Sequence, residues 1–211
     1  MSDNRPNAPT AAEQLLSLDG NDESNAHDHC LICYDTLEHK TLQPCNHNDI
    51  CPVCTLRLRL LHKDKQCPIC KQEHEQVIVE EVAHQQHQTF AEYPIWGNEL
   101  GSDFLYKESV GMFFRSQQDY FANVIQPLLG FSCPECDSYK GKHEIADANK
   151  KSALRGLQDH LRNVHRLQLC NLCVDNNRDF VTQLPRFTAS QIHKHLERGD
   201  PGTAFKGHPV W

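Results

Sequence analysis

A string of small α+β modules, stapled by cysteine and histidine because none is large enough for a full core, is the fold class this sequence predicts. Three observations carry that prediction. The eleven cysteines of the 211 residues fall into tight Cys-x-x-Cys pairs, with one further Cys-x-His and histidines nearby. These clusters cut the chain into pieces below the size at which apolar burial alone sustains a fold. The first 25 residues lack the basic start and unbroken apolar run of a signal peptide. A reducing compartment is therefore expected, and paired cysteines beside histidines read there as metal ligands instead of disulfides.

Composition excludes some functions. A formal charge of -7 argues against a chain that coats nucleic acid over its whole surface, and no apolar run approaches the length of a membrane span. The charge is unevenly distributed: residues 138–170 carry seven Lys/Arg against three Asp/Glu, whereas 81–137 carry two against eight. A local basic surface able to touch RNA is compatible with this; DNA and membrane are not expected partners.

In chain order, residues 1–25 are polar and read as a disordered tail. Residues 26–80 hold the first cysteine cluster and end in QVIVEEV, whose β-branched Val77, Val79 and Val82 predict a strand leaving the module. Residues 81–131 contain no cysteine but ten aromatic residues, too many for a free linker, and read as a folded connector. Within it DFLYKESVGMFF predicts a strand or hairpin, and Tyr120, Phe121, Val124, Ile125 and Leu128 recur at helical spacing. Two further Cys/His modules fill 132–167 and 168–211, each with cysteines at its start and a helix near its end.

The first cluster supplies eight ligands: Cys30, Cys33, Cys45, His47, Cys51, Cys54, Cys67 and Cys70. Zinc takes four in a tetrahedron, and a two-residue gap lets both thiolates of a knuckle reach one ion. Two zinc ions are implied. The order of ligand types resembles the RING family, and that resemblance implies a cross-brace in which Cys30, Cys33, Cys51 and Cys54 hold one ion and Cys45, His47, Cys67 and Cys70 the other. It also implies a docking surface for a ubiquitin-conjugating enzyme charged with ubiquitin, formed by Ile32, Leu58 and Pro68. Lys71, directly after the last ligand, stands where many active members carry an arginine that promotes transfer.

The second module begins with Cys133 and Cys136 and reaches His160 and His165 only after 23 residues, longer than the usual finger spacing. His143 competes for the site, but His160 and His165 lie on a helix whose Leu154, Leu157, Leu161 and Val164 form an apolar stripe. In the last module Cys170 and Cys173 find partners in His195 and His208; His195 shares a helix face with Ile192, which His193 does not. Thr188 with Gln191 predicts a capping box at the start of that helix, and Gly199 its stop. Four zinc ions are expected in all.

The closing run IHKHLERGDPGTAFKGHPVW, with Gly199-Asp200-Pro201 and Gly207-His208-Pro209, is similar to a segment of the RING ubiquitin ligases that sense collided ribosomes. CNHNDICPVCTLRLRLLHKDKQCPIC and QDHLRNVHRLQLCNLC resemble the RING and finger junction of that family, in the same order. The resemblance covers roughly residues 28–209 and corresponds to the amino-terminal part of such ligases, which continue past the last motif. It implies a cytoplasmic ubiquitin transferase with no catalytic cysteine, acting on lysines of small-subunit ribosomal proteins. The alternative is an RNA- or ribosome-binding zinc-finger protein whose RING is a scaffold.

Overall fold

The computed structural model describes residues 28–84, 89–115, 119–136, 145, 150–176 and 179–199. The predicted tail, His143, residues 200–209 of the closing motif and with them His208 lie outside the described residues.

The centre of the molecule is a four-stranded sheet in the order β1-β2-β4-β3, made of β1 (His39–Leu42), β2 (Val77–Glu81), β3 (Phe104–Lys107) and β4 (Met112–Arg115). β1 and β2 are antiparallel, with Leu42 opposite Ile78. β3 and β4 form the predicted hairpin, with Tyr106 opposite Phe113. β2 and β4 run parallel, with Val77 opposite Met112 and Val79 opposite Phe114. The strand expected to leave the first module thus pairs on both its edges. The division drawn at residue 80 cuts through one sheet, because a Val-Ile-Val run without polar alternation is stable only when both faces are covered.

Both faces are covered. Val77, Val79, Met112 and Phe114 point into a core with Leu56 and Leu60, from α1 (Pro52–Arg57) and the π-helical turn Leu58–His62 that extends it. Ile125, Leu128 and Leu129, from the π-turn Phe121–Ile125 and α2 (Gln126–Leu129), complete that side. Ile78, Phe113 and Leu42 face the other way, against Tyr93 and Leu100 of the connector. Val124, expected on the apolar helix face, is exposed. A charged group closes this second face: Glu80, fully buried, accepts from the Tyr93 hydroxyl at 2.7 Å and from Arg115 Nη2 at 3.1 Å. Such a buried carboxylate is tolerable only because both partners are in place.

The carboxyl-terminal half holds α3 (Lys150–His160) continued by the π-turn Leu161–His165, a two-stranded ribbon of β5 (Gln168–Leu169) and β6 (Arg186–Phe187), α4 (Asn171–Asn176) and α5 (Ala189–Arg198). The capping box at α5 is formed: Gln191 N–H donates to the Thr188 hydroxyl and the Gln191 side chain accepts from Thr188 N–H. On α3, Leu157 and Leu161 are buried with Phe131, Ala153, Leu169 and Leu184, and Leu154 packs at their edge. Val164 is 59% exposed and leaves the predicted stripe. A π-turn spends more residues per turn than an α-helix, so a position placed by 3.6-residue spacing swings away from the core.

Candidate metal centres and docking surface

Local backbone builds each cysteine knuckle. Cys30 N–H donates to Asp35 O at 2.8 Å and Tyr34 N–H to Cys30 O at 2.8 Å; Cys67 N–H donates to Gln72 O at 2.8 Å and Lys71 N–H to Cys67 O at 2.9 Å. The two knuckles are the same turn built twice. The residue after the second cysteine is left-handed in both, Tyr34 at φ 64° and Lys71 at φ 63°. Amides aim at sulfur from the first turn and from the start of α1: Ile32 and Cys51 N–H approach Cys30 Sγ at 3.5 and 3.3 Å, and Cys54 N–H approaches Cys51 Sγ at 3.4 Å. Such amides stabilise thiolate ligands.

The chain brings the predicted ligands together in four clusters, each with ligand atoms within 4.8 Å of one another. The first is Cys30, Cys33, Cys51 and Cys54; the second Cys45, His47, Cys67 and Cys70; the third Cys133, Cys136, His160 and His165; the fourth Cys170, Cys173 and His195. A tetrahedron with Zn–S near 2.3 Å has S···S edges of about 3.8 Å. Cys33 Sγ and Cys51 Sγ stand 3.8 Å apart, and the His47 Nδ1 to Cys67 Sγ distance is 3.7 Å. Histidine nitrogens lie 3.2 to 3.5 Å from sulfur in the third cluster, and His195 Nε2 lies 3.4 Å from Cys173 Sγ in the fourth. All eleven cysteines are free thiols within these clusters. The donor sets fit four zinc ions.

Electrostatics point the same way. In the first cluster hydrogen bonds from the Cys54 thiol and backbone hold Cys51 down at about 5, while burial pushes Cys33 up to about 12 and the hydrogen bond to Cys51 pushes Cys54 up. Burial likewise pushes Cys45 in the second cluster up to about 12. Burial, and for Cys54 the neighbouring Cys51, disfavour further thiolates, so a full set of thiolates needs a cation among them.

The π-turn decides the third cluster. Residues five apart lie far around an α-helix but nearly above one another when i→i+5 bonds widen the turn. His160 and His165 meet for that reason, ring centroids 5.1 Å apart, with Arg166 N–H closing the turn on Leu161 O. His195 is buried against the Phe187 ring, whereas His193 is exposed, with its Nε2 3.2 Å from a Glu197 carboxylate oxygen.

Of the candidate docking residues, Ile32 is 47% exposed, Leu58 and Pro68 are half-buried, and Lys71 is exposed. Sequence reasoning missed two further apolar groups on the same knuckles, Leu31 at 61% and Ile69 at 38% exposed. The repeat of Cys-x-Ile-Cys at 30–33 and 67–70 was the available signal, since equal turns place Ile32 and Ile69 equivalently. Tyr120, expected only as part of a helical apolar stripe, stacks its ring on His39 at 3.8 Å beside the first cluster; burial there pushes its phenol pKa up.

Residues 26–77 match the family described as zinc finger, C3HC4 type (RING finger). The first two clusters form a RING finger. Around that RING finger the relationship extends over most of the chain. It is 31% identical to the E3 ubiquitin-protein ligase hel2 of Schizosaccharomyces pombe, over 92% of this chain and 25% of that protein. Identity to HEL2 of Saccharomyces cerevisiae is 28% over 98% of this chain and 29% of the relative, and to human ZNF598, also named an E3 ubiquitin-protein ligase, 25% over 86% and 18%. The chain thus spans between 18% and 29% of the length of these relatives. No solved structure matches it significantly. Among the described residues, no helix is long and apolar enough to cross a membrane.

Proposed function

We propose that this chain is the ubiquitin-transfer part of a RING-type ubiquitin ligase of the Hel2/ZNF598 kind. The observation that carries the reading is the exposed apolar Ile32 on the knuckle of the first cluster, with Leu58 and Pro68 half-buried, in a chain whose relatives are named ubiquitin ligases. When bound, zinc supplies fixed geometry only: a closed tetrahedron of protein ligands has no open position for chemistry. The ligand assignments stand as grouped above, with His208 proposed as the fourth ligand of the last site.

The work then falls to the chain's own surface. Ile32, Leu58 and Pro68 grip the charged conjugating enzyme, and Lys71, presented outward by its left-handed turn, donates to ubiquitin and enzyme together so that the thioester is held ready for a substrate lysine. No cysteine of the chain attacks, since all eleven belong to the metal clusters. Substrates are proposed to be small-subunit ribosomal proteins on stalled ribosomes, and the compartment the cytoplasm.

The test is single-turnover discharge of ubiquitin from a panel of charged conjugating enzymes onto free lysine. Ile32→Ala should lower the acceleration by about tenfold or more, the effect of truncating an interface anchor. Lys71→Ala should lower it less, and Lys71→Arg should raise it, because a guanidinium fork replaces a point charge. Zinc-loaded protein that accelerates no panel member would sink the reading.

One observation favours the RNA-binding alternative. Lys151, Arg155 and Arg162 lie on one stripe of α3 and its extension, all exposed and opposite the buried Leu157 and Leu161. Were they to contact three phosphates, binding of single-stranded RNA would show a log–log salt slope of roughly -2. A flat response would leave the stripe a solvated face.

A further inference from the structure

The last module reaches back into the RING finger. Phe180, between the cysteine and histidine ligands of the fourth cluster, is fully buried and shares one core with Leu56 and Leu60 of the RING helix and with Val77, Met112 and Phe114 of the sheet. A single 3₁₀ turn, Val181–Gln183, follows it. Leu184, just beyond that turn, is buried instead in the core of the third cluster, with Leu157 and Leu161. Two side chains flanking one short turn therefore pin two separate cores. The same turn holds the end of the RING helix from outside: Gln183 Oε1 accepts from Arg57 Nη2 at 2.9 Å, Asp179 lies 3.6 Å from Arg57 Nε, and the Arg57 guanidinium sits 5.5 Å above the Phe180 ring. Arg57 is the last residue of α1, and the next residue is Leu58.

We propose that the Asp179–Leu184 segment is a positioning element for the RING finger, setting the end of α1 and hence the place of Leu58 from a module more than 100 residues away in sequence. The physical grounds are burial and rigidity. An aromatic ring enclosed by the RING helix and the sheet fixes their separation, because a packed core transmits a shift instead of absorbing it. Phe180 is neither a metal ligand nor one of the proposed docking residues; it acts through Leu56, Leu60 and Arg57. The surface in question rests on the ligase reading, but the coupling does not.

The experiment is hydrogen exchange on the full zinc-loaded chain, with zinc content measured in parallel. Phe180→Ala should leave four zinc ions bound and speed exchange of the amides in 54–62 by about tenfold or more, while those of the Cys30–Asp35 knuckle stay protected. Phe180→Leu should restore most of the protection. Gln183→Ala, at an exposed position that leaves the core intact, should speed exchange around Arg57 alone, so the inference survives a Phe180→Ala protein that fails to fold. In discharge assays Phe180→Ala should weaken apparent affinity for the conjugating enzyme with the rate at saturation retained. Unchanged exchange over 54–62 in both Phe180→Ala and Gln183→Ala would overturn the coupling. Altered exchange in a protein that discharges no enzyme would instead overturn the ligase reading alone.

Discussion

Stripping zinc with a strong chelator should unfold the RING knuckles outright. The core beside the first cluster contains Cys30, Leu37, Ile50 and Cys54, so half of its buried residues are themselves ligands. Leu37 and Ile50 contribute a few kcal/mol, against a backbone ordering cost of about 1–2 kcal/mol per residue over 28–37 and 45–54. Metal binding, worth on the order of 10 kcal/mol or more per structural site, makes up the difference. Circular dichroism and hydrogen exchange should show protection lost first over 28–37 and 45–54, while the sheet core around Phe114, rich in aliphatic and aromatic side chains, holds longer.

Zinc loading also ties stability to pH, with a definite sign. With burial pushing Cys33 and Cys45 up to about 12, these two thiols keep their protons at neutral pH in the metal-free protein. Zinc displaces them, so loaded ligands titrate far below their metal-free values. Stability from the metal is present at neutral pH and above and is lost as pH falls. Calorimetry in buffers of different ionisation enthalpy should therefore register proton release on loading. Metal-free protein, confirmed by elemental analysis, that melts at the temperature of the loaded form would refute this account.

Replacing Gly111 with alanine should cost about 3 kcal/mol or more, lowering the melting temperature by roughly 10 °C for a chain of this size. Gly111 turns β3 into β4 at φ 65°, and its carbonyl accepts from Val77 N–H at 3.0 Å where the parallel β2–β4 pairing begins. A Cβ there would overlap the Glu75 carbonyl oxygen and approach Arg59 Nη2 to 2.8 Å. Neither neighbour can yield. Arg59 is buried, its Nε donating to Val110 O and its Nη2 to His74 O at 2.8 Å and to Glu75 O, so it ties the RING helix to the hairpin turn. Gly97 and Gly101 supply the control, at φ 59° and 71° with open space for 4 Å around the place a Cβ would take. Alanine at either should cost only about 1 kcal/mol, the conformational penalty of a left-handed residue. Equal melting temperatures for Gly111→Ala and Gly97→Ala would show that the close approach to Glu75 does not matter.

The metal clusters were legible because their signal is both local and chemically narrow. A Cys-x-x-Cys pair closes through its own turn, and few residue types can replace a ligand, so Cys30, Cys33, Cys67 and Cys70 declare themselves without tertiary information. The β3–β4 hairpin and the Thr188–Gln191 cap belong to the same class, each settled within a dozen residues. Harder were His160 and His165, whose meeting requires a π-turn that spacing rules for an α-helix do not contain, and which sends Val164 outward.

Which cysteines pair around metal and which short segments are strand or helix were written in the order of residues, because backbone turns and ligand chemistry act over short range. Folding in three dimensions was needed to set β2 parallel to β4 across the boundary at residue 80, to bury Glu80 between Tyr93 and Arg115, and to send Phe180 into the RING core. Those contacts join apolar or paired groups far apart in the chain. Hydrophobic attraction has no direction and many phenylalanines could have satisfied it, so only the folded packing selects which one does.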